Sequence, residues 1–167
     1  VVGILIAYSI YFKNSTLWGN IAIGAVAAAA FPYGALAVAG TGRSWIPAGF
    51  ALLFHLGREI VKDIEDVEGD RSLGLRTLPL RWGCRIAART ACVIFLFLIL
   101  FTLLPWIADI YGPLYLGGVL LVDLLVLFTL FRLHRQHAAL SDNSLGKLLK
   151  AGMFLGLAAV VLGELAR

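Results

Sequence analysis

A run of charged residues at positions 58–71 contains the side chains most able to do chemistry in this chain. It places six acidic residues within twelve positions of a sequence that is otherwise almost continuously apolar. Asp63, Asp66 and Asp70 are spaced i, i+3 and i+7, so in a continuous helix they would fall within roughly 60° of one face. Carboxylates this close repel one another unless a cation lies between them. Their hard oxygens suit Mg²⁺, which typically takes one or two carboxylates plus substrate phosphates.

Basic residues stand in and just after the same run: Arg58, Lys62, Arg71 and Arg76. A site with both negatively and positively charged side chains can hold a metal ion and a phosphate together, and arginine favours bidentate contacts to phosphate. The alternative is a solvated loop between two membrane helices, in which these charges only neutralise one another.

The composition indicates which class of protein contains these charged residues. The chain of 167 residues is 60% hydrophobic and has a mean hydropathy of +0.91, which excludes an ordinary soluble domain. The basic residues are not interleaved with exposed aromatics, so nucleic acid is not an expected partner. Cys84 and Cys92 form no CxxC pattern and have no histidine at zinc-ligand spacing. The expected fold is an all-α, multi-pass transmembrane bundle, because long continuous apolar runs satisfy their own backbone groups in lipid by forming helices.

The apolar segments divide the chain into a partial helix and five further helices. They are predicted over residues 1–12, 17–39, 45–61, 90–107, 113–131 and 148–165. From Trp45 to Asp63 a helix rises about 27 Å, so Asp63 should arrive near one face of the membrane. Residues 62–83 are then an acidic loop at the mouth of the bundle. Val1 already lies inside an apolar run, so we expect the chain to be part of a longer protein.

The charge distribution predicts the orientation. Of the 14 Lys and Arg, all but Arg43 and Arg167 fall on the side of the acidic loop. The positive-inside rule therefore predicts a multi-pass protein of the cell membrane, in contact with its lipids, with the loop on the cytoplasmic side.

The sequence of residues 58–71, REIVKDIEDVEGDR, followed by RTLP at 76–79, resembles the second aspartate-rich motif of the UbiA family of intramembrane prenyltransferases. Tyr8 to Lys13 and then Gly19-Asn20 are similar to the family's Tyr/Lys stretch. The helical segments are similar to the later two-thirds of the nine-helix family pattern. The resemblance implies that residues 1–167 are one membrane domain, part of a larger one. It also implies that this stretch, which has no first aspartate-rich motif, is inactive by itself.

The resemblance also implies an activity and roles for single residues. The reaction would be Mg²⁺-dependent transfer of a prenyl group from a prenyl diphosphate to a lipid or aromatic acceptor. Asp63, Asp66 and Asp70 would be the catalytic metal ligands, and the diphosphate would be bound by Tyr8, Lys13, Arg58, Lys62 and Arg71. The branch most resembled makes ether lipids from geranylgeranylglyceryl phosphate. Aromatic acceptors of quinone, tocopherol or chlorophyll synthesis are the alternative.

Several residues inside the bundle carry smaller predictions. His55 is expected either to line a cavity or to have a structural hydrogen bond. Asn20 is expected either to cap a helix or to form a hydrogen bond inside the bundle, and Asp123 to face the interior with a polar partner. A tunnel for an isoprenoid tail, shielding a carbocation from water, could be lined by Phe95, Phe97, Phe101, Trp106 and Phe128. Two other classes compete with the enzyme: a transporter, which predicts several charges at mid-span, and a passive scaffold, which gives no reason for three carboxylates on one face.

Overall fold

The computed structural model describes residues 16–38, 42–135 and 144–166, which are helical apart from short turns. The helices are α1 (Trp18–Ala37), α2 (Trp45–Glu65), α3 (Val67–Ser72), α4 (Leu78–Trp82), α5 (Cys84–Ile107), α6 (Pro113–Arg135) and α7 (Ser144–Leu165). Helices α1, α5, α6 and α7 are long and apolar enough to cross a membrane. The predicted all-α membrane bundle is therefore confirmed. Tyr8 and Lys13 lie outside the described residues.

Helix α2, which carries the acidic motif at its end, is the central helix of the bundle. It packs against α1, α5 and α7, while α6 packs against α5 and α7. Its residues Ile60 and Val61 are fully buried, together with Phe95 of α5, Val126 of α6 and Leu149 of α7. The motif is thus attached to the part of the molecule with the most helical neighbours.

Two glycines allow helices to approach closely. A Cβ on Gly57 of α2 would lie 2.7 Å from the ring of Phe95, and one on Gly118 of α6 would lie 2.5 Å from the Cβ of Ala159. Small residues at such crossings permit the backbone contact on which helix association in lipid depends. The close approach of α2 to α5 therefore depends on residue 57 being a glycine, which has no side chain.

Two helices begin earlier than the apolar runs predict. Helix α5 begins at Cys84, six residues before the predicted start, and α7 begins at Ser144, four residues before it. The added turns include Arg85, Arg89 and Lys147. Hydropathy detects only the lipid-embedded part of a helix, whereas backbone hydrogen bonding continues into the polar region beyond it.

Candidate active site

The acidic run is helical through almost its whole length. The backbone N–H of Asp66 donates to the carbonyl of Lys62 (2.8 Å), and that of Asp70 donates to the carbonyl of Asp66 (2.9 Å). Asp66 itself, with φ −92° and ψ 8°, separates α2 from α3. The helical path on which the predicted spacing depends therefore continues past Gly69, with a slight break at Asp66.

The end of α3 is a glycine-terminated cap. The N–H of Gly74 donates to the carbonyl of Arg71 (3.1 Å) and that of Leu75 to the carbonyl of Asp70 (3.0 Å). Gly74 has φ +66°, which a glycine adopts without the steric cost of a Cβ. The chain is thereby turned back toward α4 immediately after the last carboxylate of the motif.

Asp63 is held by a residue of the first helix. The side-chain amide of Asn20, which is buried, donates a 2.8 Å hydrogen bond to Oδ2 of Asp63. Burial raises the pKa of Asp63 to about 6, and Asp70 and Glu59 add to the rise by repulsion, while the hydrogen bond from Asn20 opposes it. The predicted hydrogen bond of Asn20 within the bundle is confirmed, and its partner is the acidic motif itself.

Asp66 and Asp70 lie nearer to water and to a cationic neighbour. Nζ of Lys62 lies 3.3 Å from Oδ2 of Asp66. Burial raises the pKa of Asp70, and the repulsion from Asp66 adds to it. Burial by itself lowers the pKa of Lys62, but the attraction of Glu59 and Asp66 outweighs it, so the pKa is raised. The carboxylates are therefore close enough to disfavour one another's charge, which a bound cation would relieve.

The donor chemistry of this end fits a magnesium ion that is shared with a substrate. Within residues 16–38, 42–135 and 144–166, no three His, Cys, Asp or Glu side chains come together around one metal position. A closed protein cage is therefore not preformed by these residues. Mg²⁺ does not require one, because it commonly takes one or two carboxylates, keeps several waters and completes its shell with phosphate oxygens. Asp66 and Asp70 present such oxygens.

The predicted phosphate-binding cations differ in their surroundings. Arg58 pairs with Glu59, and its Nε is buried without a hydrogen-bond partner among the described residues. Arg71 and Arg76 are exposed on either side of the turn that follows α3. The two exposed arginines are accessible to an anion that approaches from water, whereas Arg58 is already neutralised.

An apolar cavity of about 200 Å³ lies among all five long helices. Its wall includes His55, whose Nδ1 is buried without a hydrogen-bond partner in the described part of the chain. His55 precedes Asp63 by eight residues, or about 12 Å along α2. The cavity thus lies below the acidic end, and the prediction that His55 lines a cavity is confirmed.

The aromatic residues of this cavity are not those predicted from the sequence. Phe97 and Phe128 are 61% and 51% exposed and, like Trp106, face away from the bundle; Phe95 packs onto Gly57, and Phe101 onto Gly49. The cavity instead takes its aromatic side chains from α1, α2 and α7, namely Phe31, Phe50, Phe54 and Phe154. The apolar helices have little polar patterning, so the sequence does not show which way each one faces.

Two further acidic residues are buried. Asp123 is the expected interior carboxyl, and Oγ1 of Thr102 donates to it at 3.0 Å. Glu65, which the sequence did not single out, accepts hydrogen bonds from the first turn of α7. Its partners lie 80 residues away in the sequence, and no local pattern indicates such a pairing.

Comparison with known proteins places the chain in a family. Residues 1–162 match the UbiA prenyltransferase family. The chain is 34% identical to a digeranylgeranylglyceryl phosphate synthase of Methanoculleus marisnigri, with 93% of this chain and 57% of the relative covered. It is 35% identical to the synthase of the same name from Methanosarcina barkeri, with 96% and 55% covered.

A solved structure from a study of digeranylgeranylglyceryl phosphate synthase in membranes has the same fold. It superposes with a TM-score of 0.88 at 29% identity, covering 96% of this chain and 57% of that one. The chain thus spans a little over half the length of the relatives that it matches. Since the family match extends over nearly all of these residues, the chain belongs to the UbiA prenyltransferase family.

Proposed function

We propose that the natural full-length protein transfers a geranylgeranyl group from its diphosphate to geranylgeranylglyceryl phosphate, a step of ether-lipid synthesis. The observation that carries this proposal is the arrangement along α2. One helix has carboxylates at its water-facing end and an apolar cavity about 12 Å below them. A prenyl diphosphate has the same two parts, a charged head and an apolar tail.

The head of the donor is assigned to the acidic end. Asp66 and Asp70 would hold Mg²⁺ together with the diphosphate, and Asp63 would complete or orient that set. A bound Mg²⁺ supplies Lewis-acid stabilisation of the negative charge that develops on the departing diphosphate. This role agrees with the raised pKa of Asp63 and Asp70, which is caused mainly by burial and to which repulsion from neighbouring acidic side chains adds.

Cationic side chains around the motif are assigned to the phosphates. Arg71 and Arg76 are exposed on either side of the turn that follows the motif and suit bidentate contacts to the diphosphate or to the acceptor phosphate. Lys62 bridges to Asp66 and adds a further positive charge. Tyr8, Lys13 and Arg58 remain candidates for the same task.

The tail of the donor is assigned to the cavity. Its lining is almost wholly apolar, so it would shield the isoprenoid tail from water. In the reaction, the bond between the allylic carbon and the diphosphate oxygen breaks, the acceptor hydroxyl oxygen bonds to that carbon, and the hydroxyl proton is released.

The proposal includes an orientation. Residues 62–83 form the acidic motif and its following loop, on the cytoplasmic side of a multi-pass protein of the cell membrane, where the donor and Mg²⁺ are available. The proposal also takes residues 1–167 as one membrane domain that is part of a larger one. The support is the distribution of Lys and Arg, nearly all of which lie toward this loop.

The acceptor is tested directly with the full-length protein in membranes. Labelled geranylgeranyl diphosphate is supplied with geranylgeranylglyceryl phosphate, 4-hydroxybenzoate, homogentisate or a naphthoate, with Mg²⁺ or with EDTA. We expect Mg²⁺-dependent product with the glyceryl phosphate. If product forms only with an aromatic acceptor, the acceptor is aromatic and not geranylgeranylglyceryl phosphate. If no Mg²⁺-dependent prenylated product forms with any acceptor, the proposed function is overturned.

A further inference from the structure

Glu65 closes the last turn of α2 against the beginning of α7. Its Oε1 accepts the backbone N–H of Leu145 at 2.8 Å, and its Oε2 accepts that of Gly146 at 3.0 Å. The side chain is buried and only 8% of the residue surface is exposed. The first N–H groups of a helix have no partner within the helix, and a carboxylate satisfies them and complements the positive end of the helix dipole.

The chain around this contact is shaped to allow it. A Cβ on Gly146 would lie 2.8 Å from Oε2 of Glu65, so any larger residue would displace the carboxylate. Leu145 is itself buried, in one cluster with Ile64 and Leu149. The two hydrogen bonds are therefore set into a packed junction between the acidic motif and α7.

Glu65 lies within the acidic motif, so its contact with α7 also affects the neighbouring carboxylates. Glu65 stands between Asp63 and Asp66, and it is the last residue before the break at Asp66 that divides α2 from α3. Two hydrogen bonds to a helix 80 residues away fix the rotation of this last turn about its axis. That rotation determines the direction in which the neighbouring carboxylates point.

We propose that Glu65 is a positioning residue that holds the carboxylates of Asp63 and Asp66 in the geometry required for a divalent cation and its diphosphate. This inference rests on the magnesium part of the proposed function. Glu65 does not touch the cation or the substrate; it acts through the backbone of α2. Glu68, the next acidic residue of the motif after Asp66, is exposed. Among the described residues it makes no such contact with another helix.

Two variants disturb the junction in different ways. Glu65→Gln keeps the size of the side chain, but its amide nitrogen is a donor and cannot accept the N–H of Leu145 or Gly146. Gly146→Ala leaves every charge of the motif in place, but its Cβ would lie 2.8 Å from Oε2 of Glu65 and displace that carboxylate. The matched controls are Glu68→Gln, which removes an exposed carboxylate of the same motif, and Gly117→Ala, where a Cβ meets open space.

The test measures metal binding as well as turnover in the full-length protein in detergent. The affinity for Mn²⁺ in the presence of inorganic pyrophosphate is followed by electron paramagnetic resonance. Hydrogen exchange at residues 144–148 reports the junction itself. We expect faster exchange in both variants, Mn²⁺ affinity weaker by about tenfold, and a similar rise in the Mg²⁺ concentration for half-maximal turnover, since outer partners of a metal site have effects of this size.

The outcomes separate this inference from the proposed function. If the unmodified protein binds Mn²⁺ and turns over, yet both variants keep its Mn²⁺ affinity within twofold despite faster exchange, Glu65 is only structural and the inference is overturned. If Glu65→Gln does not fold, Gly146→Ala decides by the same criterion. An unmodified protein that neither binds Mn²⁺ nor forms product would overturn the proposed function and this inference with it.

Discussion

Asn20 and Asp63, 43 positions apart in the sequence, are joined by a 2.8 Å hydrogen bond from the amide to the carboxylate. The bond ties α1 to the acidic end of α2. Replacing Asn20 by Leu preserves much of its volume but leaves Asp63 without this donor. We expect the protein to lose about 1–3 kcal/mol of stability and to transfer prenyl groups more slowly.

The measurement is thermal unfolding in detergent together with initial rates in membranes. Tyr33→Phe is the control, since it removes a hydroxyl from an exposed position on the same helix. Equal stability and equal rates in Asn20→Leu and the unmodified protein would show that the bond does not support the site.

The two outer carboxylates should be needed for chemistry and not for folding. Asp66→Asn and Asp70→Asn each remove a charge where Mg²⁺ and the leaving diphosphate are assigned, so kcat/KM should fall at least about 100-fold. The rates are measured at several Mg²⁺ concentrations, beside Glu68→Gln as a control of equal charge change. Near-normal transfer by both variants at limiting Mg²⁺ would remove these residues from the metal site.

The crossing of α2 and α5 should not tolerate a methyl group at residue 57. In Gly57→Ala the new Cβ would lie 2.7 Å from the ring of Phe95, which is fully buried. Overpacking of this kind costs about 1–3 kcal/mol. A lower midpoint of thermal unfolding, restored in part by adding Phe95→Leu, is the expected result, and Gly117→Ala should be neutral. Unchanged unfolding of Gly57→Ala would contradict the close packing.

The cavity should select the length of the prenyl donor. Ala51→Phe places a ring in the cavity wall and should lower kcat/KM for a 20-carbon donor more than for a 10-carbon donor. The ratio of the two kcat/KM values should change by at least about tenfold, since each excluded methylene is worth about 1–3 kcal/mol. Competition between the two donors measures the ratio directly. Ala30→Phe, at an exposed position of α1, should leave the ratio unchanged. A ratio that is also unchanged in Ala51→Phe would mean that the tail binds elsewhere.

The helical class and the helical path of the acidic motif could be predicted from the sequence, because both depend on local patterns. Continuous apolar runs can bury themselves in lipid only as helices. The spacing of Asp63, Asp66 and Asp70 has meaning only on a helical path, and the backbone hydrogen bonds through Asp66 provide that path. Gly74, the glycine that ends this helical path, is also a local signal.

The rest depends on contacts that no local pattern encodes. The partners of Asn20 and Glu65 are 43 and 80 residues distant. The outward direction of Phe97 and Phe128 is set by how α5 and α6 rotate against their neighbours. In a membrane both faces of a helix are apolar, so hydrophobicity does not distinguish the face that lines a cavity from the face that meets lipid.

The junction between Glu65 and α7 also sets an order for biosynthesis. When α2 enters the membrane, Leu145 and Gly146 have not yet been translated, since they follow Glu65 by about 80 residues. The carboxylate of Glu65 therefore does without these two backbone donors while α5 and α6 are being synthesised. These two donors become available when α7 is inserted. The final geometry of the motif is a late event of assembly, and a nascent chain that stalls before α7 retains every carboxylate of the motif without the contact that orients them.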